Sequence, residues 1–183
     1  MLKRILASVA MAGLVAPAAA GAQGLNYNYV QGGFGFYPNA TAADQDWIGL
    51  DATGKVAITE NVFALGGFQY LTDDIDYTTF HAGGGYRVGL DPSTDLWGGA
   101  TIEYQDFDPG GDDTSLGLRG GIRHQLNQDL ELAAEMRVVT GDADYVGFRA
   151  SAQYFMRPDL GLVGAFDIFD GDPGLIAAAR FAF

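Results

Sequence analysis

Apolar and polar side chains alternate along this chain with a period of two, and the phase holds over whole segments. Ile48, Leu50, Ala52, Val56 and Ile58 alternate with Gly49, Asp51, Thr53 and Lys55. Phe80, Ala82, Tyr86, Val88 and Leu90 alternate with Thr79, His81, Gly83, Gly85 and Arg87. Leu130, Leu132, Ala134, Met136 and Val138 alternate with Glu131, Glu135 and Arg137. A period of two puts successive side chains on opposite faces of an extended strand, so these segments read as strands with one apolar and one polar face.

Turn signals cut the pattern at regular intervals. Asn61, Asp95, Asp129 and Asp159 sit in four short polar stretches of one form, spaced 34, 34 and 30 residues apart. Between them lie acidic or Gly/Pro-rich stretches at 38–44, 72–76, 106–113, 141–144 and 170–173. Such clusters punctuate strands. Tight turns thus alternate with more variable loops. The expected elements are ten strands over residues 25–37, 45–58, 62–71, 77–90, 95–105, 114–126, 130–140, 145–156, 160–169 and 174–183, with eight strands as the fallback. None of these ranges contains Pro, as central ladders require. In the first strand Tyr27 and Tyr29 take one phase and Phe34 and Phe36 the other, so a bulge is expected at Gly32-Gly33. The fold class is all-β, a single antiparallel up-and-down barrel.

Residues 1–22 stand apart from this pattern. Lys3 and Arg4 precede an apolar run from Ile5 to Val15, and Ala20-Gly21-Ala22 supplies a small-residue cleavage site. This is the form of a secretory signal peptide cut before Gln23, leaving 23–183 as the barrel domain. The apolar run is too short for a membrane-spanning helix. Net charge is −13 and there is no Cys, which argues against a nucleic-acid partner and removes disulfides and thiolate metal sites.

Periodicity does not say which face is inside. A soluble barrel buries its apolar face, whereas a membrane barrel turns that face to lipid and keeps the polar face in the lumen. Three features favour the membrane. Strands of about ten residues match the 9–11 needed to cross a bilayer at a tilt. Twelve mixed-sign charges share the polar face at mid-strand: Lys55, Arg87, Arg119, Arg123, Arg137, Arg149 and Arg180 with Asp51, Glu103, Glu131, Glu135 and Asp167. In a lumen they would pair into an obstructing network, and Glu135 is the acid whose loss should leave arginines without a partner. Phe181 and Phe183 form an alternating aromatic ending like the assembly signal that outer-membrane barrels present to their insertion machinery. Aromatics also fall near strand ends, Trp47, Tyr70, Phe80, Tyr104, Phe148 and Phe166 towards the loops and Tyr27, Tyr29, Tyr86, Tyr154 and Phe183 towards the turns, as two interfacial belts would require. The rival reading is a secreted soluble barrel that binds a ligand or carries a signal.

The order of leader, alternating strands, short turns, acidic loops and Phe183 resembles the small outer-membrane β-barrel proteins of Gram-negative bacteria. More narrowly, residues 24–33 (GLNYNYVQGG) and 46–50 (DWIGL) resemble a porin-like xanthomonad family described as sulfation-dependent quorum factors. The resemblance implies an outer-membrane location with lipid, lipopolysaccharide and the barrel assembly machinery as partners. It implies no catalytic residues.

Site chemistry is sparse. His81 falls at mid-strand on the polar face, and His124 falls near a turn in the outward phase, neither inside a Ser/Asp pattern that would support catalysis. No cofactor is expected. The loop stretches, counted with Asp46 just beyond the first, carry thirteen acids and no Lys or Arg. Within them Asp106, Asp108, Asp112 and Asp113 are candidates for weak divalent-cation binding, although Gly117 stands where a calcium loop needs its bidentate Glu. The function expected is a structural or surface barrel or a narrow small-solute pore, and not an enzyme.

Overall fold

The computed structural model describes residues 25–40, 45–73 and 75–183. Ten strands close into one barrel in which every strand pairs antiparallel with its sequence neighbours and β1 closes against β10. They are β1 (Tyr29–Ala40), β2 (Gln45–Ala57), β3 (Val62–Thr72), β4 (Asp76–Asp91), β5 (Thr94–Asp108), β6 (Gly111–Asn127), β7 (Leu130–Val139), β8 (Tyr145–Arg157), β9 (Leu160–Phe169) and β10 (Asp172–Ala182). Closure leaves no free strand edge. The residues read above as a leader, 1–22, lie outside the described residues, as do Asp44 and Asp74.

The apolar phase of each strand faces out. Phe34, Ile48, Ile102, Leu116, Leu118, Met136, Val146, Leu162 and Leu175 are all exposed, with Ile102 64% and Phe34 65% accessible. The polar phase is buried inside. Glu103 and Asp167 are both fully inaccessible, and Asp51, Lys55, Arg123, Glu131 and Arg137 are buried with them. This is the reverse of a water-soluble barrel, in which apolar side chains occupy the centre.

Four expectations need correction. First, β1 runs in continuous register from Tyr29 to Tyr37 against β2, with no bulge at Gly32-Gly33. Tyr27 and Tyr29 take the inward phase with Gln31, and Phe34 and Phe36 the outward phase, so a regular strand satisfies both pairs. Second, two strands do contain Pro. Pro38 lies in the register shift between Tyr37 and Ala40, beyond the last β1–β10 pair, so its missing N–H interrupts no ladder. Pro173 is the second residue of β10, where only β9 pairs with the strand. Third, Asp106–Asp113 is not a loop. β5 continues to Asp108 and β6 starts at Gly111, so a two-residue Pro109–Gly110 turn joins two strands of 15 and 17 residues. Fourth, Tyr27, Tyr29 and Trp47 are not belt residues, since all three side chains are buried inside the barrel. Phe80, Tyr104, Phe148 and Phe166 towards the loops, with Tyr86 and Tyr154 towards the turns, are exposed on the outer wall.

The β4–β5, β6–β7 and β8–β9 turns are also two residues long. In the first of these, the Ser93 hydroxyl and amide donate to Asp91 Oδ1 at 2.7 and 2.8 Å, which holds that exposed carboxyl below its ordinary range.

Candidate functional site: the closed lumen

Alternation determines which residues enter the lumen, and ring closure determines which of them meet. Two aromatic clusters close the ends. At the loop end Tyr37, Trp47, Leu71, Tyr77, Val139, Tyr145 and Phe169 form one buried cluster, with Trp47 stacked on Tyr77 at 5.8 Å between ring centroids. At the turn end Leu25, Tyr27, Phe63, Leu65 and Trp97 form another. Leu25 and Tyr27 precede β1 yet fold into the mouth. Arg87 and Arg123 hold this segment by donating to the carbonyls of Leu25 and Asn26, each at 2.9 Å. Both guanidinium groups also lie over the Tyr27 ring, at 4.7 and 4.6 Å.

Between these caps the interior is ionic. Arg137 makes a bidentate pair with Asp167 at 2.9 and 2.7 Å, and Arg149 donates from Nε to the same carboxylate at 2.7 Å. Arg149 also reaches Asp51 at 3.0 Å. Tyr37 donates its hydroxyl to Asp167 at 2.7 Å and accepts from Gln69 at 3.1 Å. Lower in the barrel Arg119 grips both oxygens of Glu103, at 2.9 and 3.0 Å, while the Thr101 hydroxyl donates to Glu103 at 2.6 Å. Arg123 pairs with Glu131 through two contacts of 2.9 Å, and Arg180 reaches Glu131 at 3.5 Å. Bidentate geometry of this kind joins charge to orientation, and buried carboxylates persist only where such partners are supplied.

The arrangement corrects the weight given to Glu135. It touches Arg119 by one 3.3 Å contact and is the more exposed partner, whereas Glu103 holds the same guanidinium by both oxygens and is fully buried. Glu103→Gln is therefore expected to destabilise the barrel more than Glu135→Gln, by about 1–3 kcal/mol for a charged hydrogen bond lost at a buried site. Urea unfolding of the two variants in parallel checks the order. Equal effects would mean that Glu135 shares the role.

Sequence reasoning missed several lumen residues. Asp95 served as a turn landmark, yet it is buried and pairs with Arg87 at 2.9 Å. Tyr37, Gln31, Gln69, Thr101 and Gln105 also occupy the interior. Their inward phase was the available signal, since each except Gln69 is an even number of residues from a lumen charge on its own strand or from an inward tyrosine, and Gln69 shares its phase with the inward Phe63. Lys55 takes no carboxylate within 4.0 Å among the described residues. Its ammonium lies 3.4 Å from the Trp97 ring centroid, with Phe63 and Tyr27 beside it.

Glycines make room for the large inward groups. A Cβ at Gly147 would come within 2.5 Å of Arg137 Nε, and one at Gly174 would enter the Tyr37 ring. Gly147→Ala should therefore displace the Arg137 guanidinium from Asp167 and cost about 1–3 kcal/mol, as overpacking typically does. A shift of the unfolding midpoint without a change in slope is the expected readout.

The remaining candidates take less central places. His81 lines the central cavity with its ring packed over Gly67. His124 Nδ1 lies 2.9 Å from the Thr94 hydroxyl near the turn end. Asp106 and Asp112 are cross-strand partners in the β5–β6 hairpin, and Asp113 accepts from the amides of Asp142 and Ala143 at 3.0 and 3.2 Å. Among the described residues no three His, Cys, Asp or Glu side chains come together as a metal-holding group. Phe181 is exposed on the outer wall opposite Leu160 and Val30, and the Phe183 amide donates to the Asn28 carbonyl at 3.0 Å.

No family model matches this chain, and no curated protein matches it. Among solved structures it is similar to the KdgM porin, with 7% identity, 84% of this chain and 99% of that chain covered, and a TM-score of 0.49. The outer-membrane protein OprG of Pseudomonas aeruginosa is 14% identical over 89% of this chain and 99% of its own, with a TM-score of 0.47. The attachment invasion locus protein Ail of Yersinia pestis is 8% identical over 87% of this chain and all of its own, with a TM-score of 0.39.

Proposed function

We propose that this chain is an outer-membrane β-barrel of a Gram-negative bacterium, with a structural or surface role and a lumen closed to solutes of porin size. One observation carries the reading: large apolar side chains cover the outside of a closed barrel whose charges are buried inside. A bilayer satisfies such an outer wall, and water does not. Strands of 10–17 residues are long enough to cross the hydrocarbon core. The two aromatic caps and the ion pairs between them favour a closed barrel over an open pore.

Further parts of this proposal rest on the sequence. Export follows from the basic start, apolar run and small-residue site within residues 1–22. Kinship with the xanthomonad quorum-factor family rests on residues 24–33 and 46–50. Phe181 and Phe183 act in this reading as the signal for the assembly machinery.

Cell fractionation tests the location. The protein is expected in outer membranes, and recovery from the culture supernatant would support a soluble secreted barrel instead. Orientation is tested with single cysteines, since the chain has none of its own. Cysteine at Gly110 or Asp142 should react with an impermeant thiol reagent on whole cells. Cysteine at Ser93 or Gln128 should react only after the outer membrane is breached. The opposite pattern would invert the barrel.

A further inference from the structure

The ionised side chains between the two aromatic caps fall into three groups. Asp51 and Asp167 balance Arg137 and Arg149. Glu103 and Glu135 outnumber Arg119 by one. Arg123 and Arg180 share Glu131 and Lys55 has no carboxylate within 4.0 Å, an excess of two positive charges among the described residues. That third group is gathered around Tyr29. Tyr29 stands directly opposite Lys55 in the β1–β2 ladder, and the Arg180 and Arg123 guanidinium groups lie 4.1 and 5.6 Å from its ring centroid. Lys55, Arg123, Arg180 and Tyr29 all line one central cavity of about 90 Å³. Glu135 faces the same cavity and offsets one of the two excess charges, so one positive charge remains unbalanced.

An unbalanced charge away from water is costly and is met by a counter-ion where one can enter. A route exists. Tyr29, Arg123 and Arg180 also line a second cavity of about 580 Å³ on the turn side of the barrel, with Gln125, Gln128 and Gln153 around it. Guanidinium groups present paired N–H donors that suit planar or tetrahedral oxyanions, and the Tyr29 hydroxyl adds a neutral donor.

We propose that the turn-side lumen around Tyr29 is a binding site for a small oxyanion, a carboxylate or phosphate group held by Lys55, Arg123 and Arg180. Glu131 and the Asn26 carbonyl orient Arg123, Gln31 Oε1 and Glu131 orient Arg180, and each terminal guanidinium nitrogen keeps its second N–H for the ligand. The site is enclosed from the loop side by the ionic layer and the aromatic cap above it, and the larger turn-side cavity, lined by Leu25 and Asn26 of the capping segment, is the side from which a small anion would reach it. The inference rests on the interior geometry and not on the bilayer.

Trp97 reports on the site because the Lys55 ammonium sits on its ring. Full-length protein folded in detergent micelles is titrated with inorganic phosphate, and separately with acetate, at constant ionic strength set with chloride. A saturable change in tryptophan fluorescence is expected from at least one of the two, and which one is tighter assigns the site to phosphate or carboxylate. Trp97→Phe should abolish the signal without abolishing binding. Lys55→Met and Arg180→Gln should each weaken binding by about tenfold or more, the effect of one charged hydrogen bond, and Arg180→Lys should restore part of it. Phosphorus NMR on the wild-type protein gives a measure independent of any variant's folding: the free phosphate line should broaden on adding protein and sharpen again with excess acetate. A response linear in anion for both probes, equal affinities in wild type and both charge-removing variants, or an unbroadened phosphate line with no acetate response would overturn the proposal.

Discussion

Asp167→Ala is expected to be the most damaging single change in the lumen, lowering unfolding free energy by roughly 3–5 kcal/mol. Asp167 is fully buried and accepts from Arg137 twice, from Arg149 and from the Tyr37 hydroxyl. Removing it leaves the Arg137 guanidinium, itself buried, with no carboxylate partner, and leaves Arg149 with Asp51 alone. The Tyr37 hydroxyl loses its acceptor in the same step, which loosens the loop-end cap. Asp167→Asn should cost less, because its amide oxygen still accepts while its charge is gone. Reversible urea unfolding in lipid vesicles measures both. Alanine and asparagine variants as stable as wild type would mean that the pairs around Asp167 contribute nothing to the fold.

Leu118→Arg should produce the second largest effect, a loss of roughly 2–4 kcal/mol if this position lies near the bilayer midplane. Leu118 is exposed on the outer wall, one residue from the half-buried, inward-facing Arg119 and opposite Ala100 and Val138. In water an exposed Leu→Arg change is nearly neutral, because nothing is desolvated. The experiment therefore compares one variant in two media. In lipid vesicles the cost should appear, and for a soluble barrel it should be absent. Thr114→Arg, on the same strand towards the loop end, should cost much less, since the penalty falls towards the interface.

Much of this architecture was legible in the alternation. Turn residues such as Asp129 and Asp159 divide the chain, and side chains on either side of them keep a strict phase, so strand number and face follow from local patterning. β2, β7 and β9 show this most clearly, with observed limits within a residue of those expected. Errors arose where the local signal had two readings. Acidic and Gly-containing residues at 106–113 signal a loop, but cross-strand pairing carried them into a long hairpin. Tyr27, Tyr29 and Trp47 are aromatics near strand ends, which fits an interfacial belt as well as a lumen cap. Their phase relative to Gln31 and Asp51 separates the two, because a belt residue must share the outward phase.

The partners within the site were not legible in the same way. Which carboxylate meets Arg149 depends on closure: Asp51 is 98 positions away in sequence and lies across the lumen. Sequence spacing along one strand pointed to Glu135, whereas Arg119 takes both oxygens of Glu103, four residues along β5 from its ladder partner Gly99, and touches Glu135 once. Lys55 has its place on the Trp97 ring for a similar reason, since residues from β2 and β5 meet only across the interior.

Planar-bilayer recording on the purified chain tests the closed membrane barrel most directly, when wild type is run beside a variant with Tyr27→Ala, Trp97→Ala and Arg123→Ala at the turn-end cap. Wild type should insert and give no sustained steps of porin size, while the variant, having lost the groups that hold residues 25–28 in the mouth, should show discrete steps. Large sustained openings in the wild type, or silence from both under conditions where insertion is verified by flotation with the lipid, would contradict it.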